Sequence, residues 1–296
     1  MKIASILLAA GQGTRMHSKI PKVLHPVVGR PMIFYAVEAV QRLVNLPPVV
    51  IVGYGSDAVQ QALSGAGYEV QFALQEQQLG TAHAISCAQP LLEKQADQVL
   101  VTCADMPLLQ EETLQRLVTL HAQSGGVMTM TSVIGEVPRG FGRVVRDEHG
   151  GVSAIVEEAV ATPEQLAIRE YNVSAYCFEA AWLWENLARI QLSAKKEYFL
   201  TDLVEIAVKQ GYKVETLVVP DPTEALGINT RVDLAAAEHA MRQRINQRWM
   251  LAGVTLLDPA TTTIEVGVTI GQDTTIYPNT ALLGSTVIGE DCHIGP

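Results

Sequence analysis

Paired cysteines are missing from this chain. Its four, Cys87, Cys103, Cys177 and Cys292, lie far apart, which excludes a Cys-x-x-Cys zinc or redox motif and any regular disulfide framework. Positive charge is also short: the net charge is −10 at pH 7, the wrong balance for a nucleic-acid surface. No apolar run reaches the length of a bilayer. Nor does a cationic leader with an apolar stretch and a cleavage site precede the first strand-like residues. These absences predict a cytoplasmic globular protein with no nucleic-acid and no membrane partner. Its 296 residues, 48% hydrophobic and 18% charged, suffice for one large domain plus a small one.

Two familiar phosphate loops are absent as well. After the apolar run ending at Leu8 comes Ala9-Ala10-Gly11-Gln12-Gly13-Thr14-Arg15-Met16. Met16 stands where a Rossmann fingerprint needs its third glycine, and no Gly-Lys-Ser/Thr follows to make a Walker A loop. What is there still suits an anion. Residues 2–8 read as a buried strand, so the small residues fall in the turn at its carboxyl end, where open α/β sheets bind ligands. Ala9, Ala10, Gly11 and Gly13 let backbone N–H groups approach a phosphate, and Arg15 and Lys22 add fixed positive charge.

Up to about Asp105, strand-like and helical runs alternate, with helices expected over 31–43, 57–63 and 81–92, which predicts βαβ units and a mostly parallel sheet. Between 127 and 178 strands and turns take over, punctuated by Pro138-Arg139-Gly140 and His149-Gly150-Gly151; this section should form the acceptor side of a cleft. A long amphipathic helix from Arg231 to about Met250 should carry the chain onward. Then Ile264, Ile270, Ile276, Leu282, Ile288 and Ile294 recur every six residues. That period fits neither a helix nor a simple strand, and predicts a left-handed parallel β-helix of under two coils. With the last hexad barely begun at Pro296, the open edge implies truncation or cover by another subunit.

The front loop with Pro21-Lys22-Val23-Leu24 resembles the signature of the sugar-1-phosphate nucleotidylyltransferases. Together with the hexads, and with motifs such as Ala104-Asp105-Met106-Pro107-Leu108, Phe141-Gly142-Arg143, Tyr198-Phe199-Leu200-Thr201-Asp202 and Gly227-Ile228-Asn229, it resembles one family closely. That family is the bifunctional N-acetylglucosamine-1-phosphate uridylyltransferase/glucosamine-1-phosphate acetyltransferase, in its uridylyltransferase half. The resemblance implies an α/β fold: a Rossmann-like nucleotidyltransferase sheet with helices on both faces over 1–230, a linker helix over 231–252 and a truncated hexapeptide β-helix over 253–296. It implies UTP and a sugar 1-phosphate as substrates, Mg2+ as cofactor, and a homotrimer where a full coil stack exists. Acetyl transfer is not expected of these coils.

On this reading Leu8, Ala9, Ala10 and Gly11 cradle the nucleotide. Gln75 and Gln78 offer amides to a pyrimidine edge, while Gly80 and Thr81 allow close approach of the base or ribose. Cys103 and Ala104 lead to Asp105, which with the amide oxygen of Asn229 would hold Mg2+. Gly142, Glu157 and Asn172 match positions that hold the sugar and its N-acetyl group. Arg15 and Lys22 would stabilise the leaving pyrophosphate. An acceptor phosphate is already ionised, so no general base is needed, and His25 and His83 are expected to be structural. Three departures fall on the sugar side: Glu158-Ala159-Val160-Ala161 after Glu157, Val173-Ser174 after Asn172, and Cys103-Ala104 before Asp105. Thymidylyl or guanylyl transfer to another sugar 1-phosphate, or a non-catalytic regulatory homologue, are the alternatives.

Overall fold

The structure, a computed structural model, describes residues 1–135 and 140–295; of the turn signal Pro138-Arg139-Gly140, Pro138 and Arg139 lie outside them. The chain begins with β1 (Ile3–Leu8), single turns of 3-10 helix at Thr14–Met16 and Lys22–Leu24, and a hairpin of β2 (Pro26–Val27) and β3 (Arg30–Pro31). There follow α1 (Met32–Gln41), β4 (Val49–Val52), α2 (Ser56–Gly65), β5 (Gln71–Leu74), α3 (Thr81–Ser86), α4 (Gln89–Leu92), β6 (Gln98–Cys103) and α5 (Glu111–Ser124). The middle section supplies β7 (Met128–Ile134), β8 (Arg143–Arg146), β9 (Val152–Val156), α6 (Pro163–Leu166) and β10 (Glu170–Glu179). Then come α7 (Ala180–Leu187), α8 (Asp202–Lys209), β11 (Glu215–Val218) and α9 (Arg231–Leu251).

The single helix predicted over 81–92 is in fact two. Pro90 stands near the start of α4; without an N–H, and with its ring against the preceding turn, it cannot continue α3.

The main sheet has the path β11-β7-β10-β6-β1-β4-β5, with β8 and β9 alongside β10. β1 pairs in parallel with both β4 and β6, while β10 runs antiparallel to its neighbours. Successive residues of a strand face opposite sides, and both sides are covered. Leu7, Val50 and Leu100 pack with α1, α2 and α5, whereas Ile6, Val49, Ile51 and Val99 pack with α3, α7 and α8. From β1 the chain crosses first to β4 on one side and later to β6 on the other. The gap between the carboxyl ends of β1 and β6 is therefore the switch point where such sheets open a crevice.

Beyond α9, the hexads form short parallel strands: β12 (Thr255–Leu256), β13 (Thr263–Ile264), β14 (Thr269–Ile270), β15 (Thr275–Ile276), β16 (Ala281–Leu282), β17 (Val287–Ile288) and β18 (His293–Ile294). β12, β15 and β18 stack on one face, β13 with β16 on a second and β14 with β17 on the third. Thr263 lies over Ala281, three hexads on, and Leu256, Ile264, Ile270, Ile276 and Leu282 fill the interior. The expectation of under two coils is corrected: two full turns are present and a third begins. The pattern hid β12 because the loop from Leu257 to Thr262 stretches its step beyond six residues.

α9 joins these parts rather than hanging between them. Ala237, Met241 and Ile245 share one apolar cluster with Val27 and Val28 of the hairpin and with Val254 and Ile264 of the coils. Asn246 Nδ2 also donates to the carbonyls of Pro259 (2.9 Å) and Thr262 (3.0 Å). Among the described residues no helix is long and apolar enough to cross a membrane, and the four cysteines are unpaired.

Candidate active site

The switch-point crevice is built from two strand ends tied together, the N–H of Ala104 donating to the carbonyl of Leu8 at 3.0 Å. Ala9 and Ala10 are buried against the sheet while Gly11 is exposed with open space around it. Gly13 has φ +63°, and a Cβ there would meet Lys22 Cβ at 2.7 Å. The second glycine of the loop thus makes room for the Lys22 stem. Lys22 Nζ then donates to Asp105 Oδ2 at 2.5 Å and to Asn229 Oδ1 at 3.1 Å. Two backbone contacts fix that meeting. The N–H of Ile228 donates to the carbonyl of Asp105 (2.9 Å), and Asn229 precedes the Thr230/Asp233 capping box that starts α9, its own N–H reaching Asp233 Oδ2 at 3.0 Å.

Three residues from distant parts of the sequence therefore converge. Asp105 and Asn229 aim a carboxylate and an amide oxygen at one cation, here the Lys22 ammonium. Hard oxygen donors in that number suit Mg2+ completed by phosphate and water. Among the described residues no cluster of three or more His, Cys, Asp or Glu could hold a metal, so an ion here would depend on substrate oxygens. Arg15 does not join the cluster. It stands exposed on the turn Thr14–Met16, whose Met16 is buried and whose Met16 carbonyl accepts from Arg231 Nε at 3.2 Å.

The loop after β5 is held by contacts within the protein at two of the expected positions. Gln75 is buried, and its Nε2 donates to the carbonyl of Gly80 (3.1 Å) and lies 3.0 Å from His83 Nδ1; its amide nitrogen shapes the loop. Gly80 has φ +101°, and the place of its missing Cβ is taken by the Tyr198 backbone, with the carbonyl oxygen 2.5 Å away. Its glycine serves that close approach. The segment 198–200 completes the clasp: Tyr198 N–H donates to the Leu79 carbonyl at 2.8 Å, and Leu200 N–H to Thr81 Oγ1 at 3.0 Å. Sequence reasoning noted the 198–202 motif without a task for it. Gln78 stays exposed, on a cleft of about 450 Å³ lined also by Gln12, Gly53, Tyr54 and Glu76.

On the other flank Gly142, Glu157 and Asn172 come together. Asn172 N–H donates to the Gly142 carbonyl at 2.9 Å, and a Cβ on Gly142 would lie 2.7 Å from Ile155 Cγ2 and 3.6 Å from Glu157 Oε1. Thr201 Oγ1 donates to Glu157 Oε1 at 3.1 Å. Burial pushes the Glu157 carboxyl above the ordinary range, opposed by that hydrogen bond. Burial and the neighbouring Asp105 also push the Cys103 thiol up, so it stays protonated. His25 is buried beside Arg231 and held below its usual value by burial and that guanidinium.

The family model for the MobA-like NTP transferase domain matches residues 5–203, two thirds of the chain and all of the strands that frame this crevice. The chain belongs to that family. A second model, for the bacterial transferase hexapeptide, matches the coils over 267–296 of this transferase. It is 45% identical over 293 residues to a bifunctional protein GlmU of Exiguobacterium sibiricum, covering 99% of this chain and 65% of that protein. It is 44% identical over 293 residues to the GlmU of Pelobacter propionicus, with 99% and 64% covered. The transferase thus spans a little under two thirds of the length of the curated relatives it matches. A solved UDP-glucose pyrophosphorylase complexed with UDP-glucose shares the fold, with a TM-score of 0.65 at 17% identity over 82% of this chain and 100% of that one.

Proposed function

We propose that this transferase joins UTP to N-acetylglucosamine 1-phosphate, giving UDP-N-acetylglucosamine and pyrophosphate. The observation that carries the reading is the meeting of Lys22, Asp105 and Asn229 at the sheet's switch point. It is supported by identity near 44% with GlmU proteins along the whole chain.

In the reaction a phosphate oxygen of the sugar 1-phosphate attacks the α-phosphorus of UTP in line, and the bond to the β-phosphate breaks. The nucleophile is already an anion, so the protein's work is alignment and charge neutralisation. Asp105 and Asn229 would hold Mg2+, which when bound supplies positive charge to the phosphoryl oxygens. Lys22, released from Asp105, is within reach of the leaving pyrophosphate, and exposed Arg15 is free to swing onto the same phosphates. The open backbone at Gly11 receives the triphosphate. Gln75 and Gln78, which line one cleft, would offer amides to the base, while Glu157 and Asn172 would hold the sugar.

Pyrophosphate release, measured with UTP, dTTP and GTP against N-acetylglucosamine 1-phosphate, N-acetylgalactosamine 1-phosphate and glucose 1-phosphate, tests the reading. Mg2+-dependent release greatest with UTP and N-acetylglucosamine 1-phosphate is expected. A preference for another pair moves the assignment to that pair, and no release with any pair defeats it in favour of a binding protein.

A further inference from the structure

After Asn172 this chain has Val173-Ser174, and there the backbone leaves the regular strand. Ser174 adopts φ +58°, a left-handed conformation that glycine enters freely and serine does not. It sits in an irregularity of β10: Asn172 pairs with Ser132 and Tyr176 with Met130, four steps along β10 against two along β7. On its other side Tyr176 pairs with Val101 of β6, so this bulge runs past the strand end that leads to Cys103 and Asp105.

The Asn172 side chain holds the bulge. Its Oδ1 accepts from the Ser174 N–H at 3.2 Å, and its Nδ2 donates to Tyr176 Oη at 2.6 Å. The orientation is not arbitrary. A backbone N–H can only donate, so the oxygen must face Ser174 and the nitrogen must face the phenol, which here accepts. An amide side chain offers four hydrogen bonds; two are used, leaving one N–H and one lone pair whose directions are now set. Asn172 is 4% exposed and Tyr176 3%. A phenol so deeply buried needs partners, and it meets the side chains of Asn172 and Ser174.

We infer that Tyr176 is a positioning residue for the acceptor sugar: its hydroxyl orients Asn172, so that the amide's remaining N–H and lone pair meet the sugar while the left-handed Ser174 stays braced. The inference rests on the transfer reaction proposed above. Loss of the hydroxyl should loosen Asn172 without touching Lys22, Asp105 or the nucleotide loop. It therefore separates the two substrates.

The test compares Tyr176→Phe, Asn172→Ala and the double variant in steady-state turnover, and in calorimetric binding of UDP and UDP-N-acetylglucosamine. Tyr176→Phe should raise KM for the sugar phosphate about fivefold to tenfold, as expected for one hydrogen bond near 1 kcal/mol, and weaken UDP-N-acetylglucosamine alike. KM for UTP and binding of UDP should stay within about twofold, and kcat should fall far less than KM rises. With Asn172 already removed, losing the hydroxyl should add nothing. Equal losses for UTP and sugar phosphate, a purely additive double variant, or an unchanged sugar-phosphate KM would overturn the inference. If Tyr176→Phe alone folds poorly, it is made with Ser174→Gly, which relieves the left-handed serine, and the same split is expected. A wild-type chain that binds UDP-N-acetylglucosamine without turning over UTP defeats the transfer reading yet leaves the binding arm decisive; one that binds neither UDP nor UDP-N-acetylglucosamine overturns both.

Discussion

The two flanks of the crevice are built in opposite ways. On the phosphate side the polar groups are charged and partly open: Lys22 and Asp105 keep 11% and 21% of their side-chain surface exposed, and Gly11 and Arg15 face solvent. On the proposed sugar side they are neutral or pushed toward neutrality, with Asn172 and Tyr176 buried and bonded to each other and Glu157 half-buried and raised by burial. The difference follows from what each must do. A triphosphate brings several charges whose distribution changes during the reaction, so mobile or exchangeable counter-charges serve it. A sugar is discriminated by the direction of a few hydrogen bonds, which only pre-oriented groups can set.

That contrast can be broken most forcefully at Asp105. Asp105→Asn should lower kcat by about 10³-fold, because Mg2+ loses its charged ligand, while the thermal midpoint stays near the wild-type value. Near-normal turnover across a Mg2+ titration would remove the metal from this flank.

Lys22→Ala should cost on the order of 10²-fold in kcat, with a smaller change in the sugar-phosphate KM, since its charge matters most as pyrophosphate departs. The opposite split would move Lys22 to the acceptor side.

Between the flanks, Gly80→Ala should destabilise the fold by about 2–3 kcal/mol in denaturant unfolding, through its positive φ and the clash with the Tyr198 backbone. Gly11→Ala, where the space is open, should stay within about 0.5 kcal/mol. Equal costs at the two glycines would mean that the Tyr198 clasp holds nothing.

The smallest expected effect sharpens the sugar side. Thr201→Val removes the hydrogen bond that favours the charged Glu157, so its already raised carboxyl should titrate higher still. Affinity for UDP-N-acetylglucosamine, measured calorimetrically across pH, should then fall at a higher pH in the variant than in wild type as the solution is acidified, with UDP unaffected. An identical pH profile in wild type and variant would exclude Glu157 as the titrating group.

The strongest signals in the sequence were those in which position and chemistry coincide locally. The apolar run before Ala9 and the carboxylate straight after the β6 run marked the two strand ends, and the six-residue beat marked the coils. Lys22, Asp105 and Asn229 were readable because each sits next to a strand or helix end that local pattern could locate. What escaped was set by distant backbone. Sequence pattern shows neither the bond from Gln75 to the Gly80 carbonyl nor the Tyr198 backbone pressed against Gly80. The Asn172–Tyr176 contact depends on a bulge that shifts register between two neighbouring strands, and β12 was hidden by an irregular loop. No period or motif encodes these.

α9 opens two residues after Asn229, its first turn locked by Thr230 and Asp233, and its last turns are bonded into the first coil through Asn246. At 21 residues it is a rod of about 30 Å. A helix of hydrogen-bonded turns passes a twist or shift from one end to the other with little loss. The coil stack and Asn229 therefore lie at the two ends of one continuous helix, each fastened by its own side-chain hydrogen bonds.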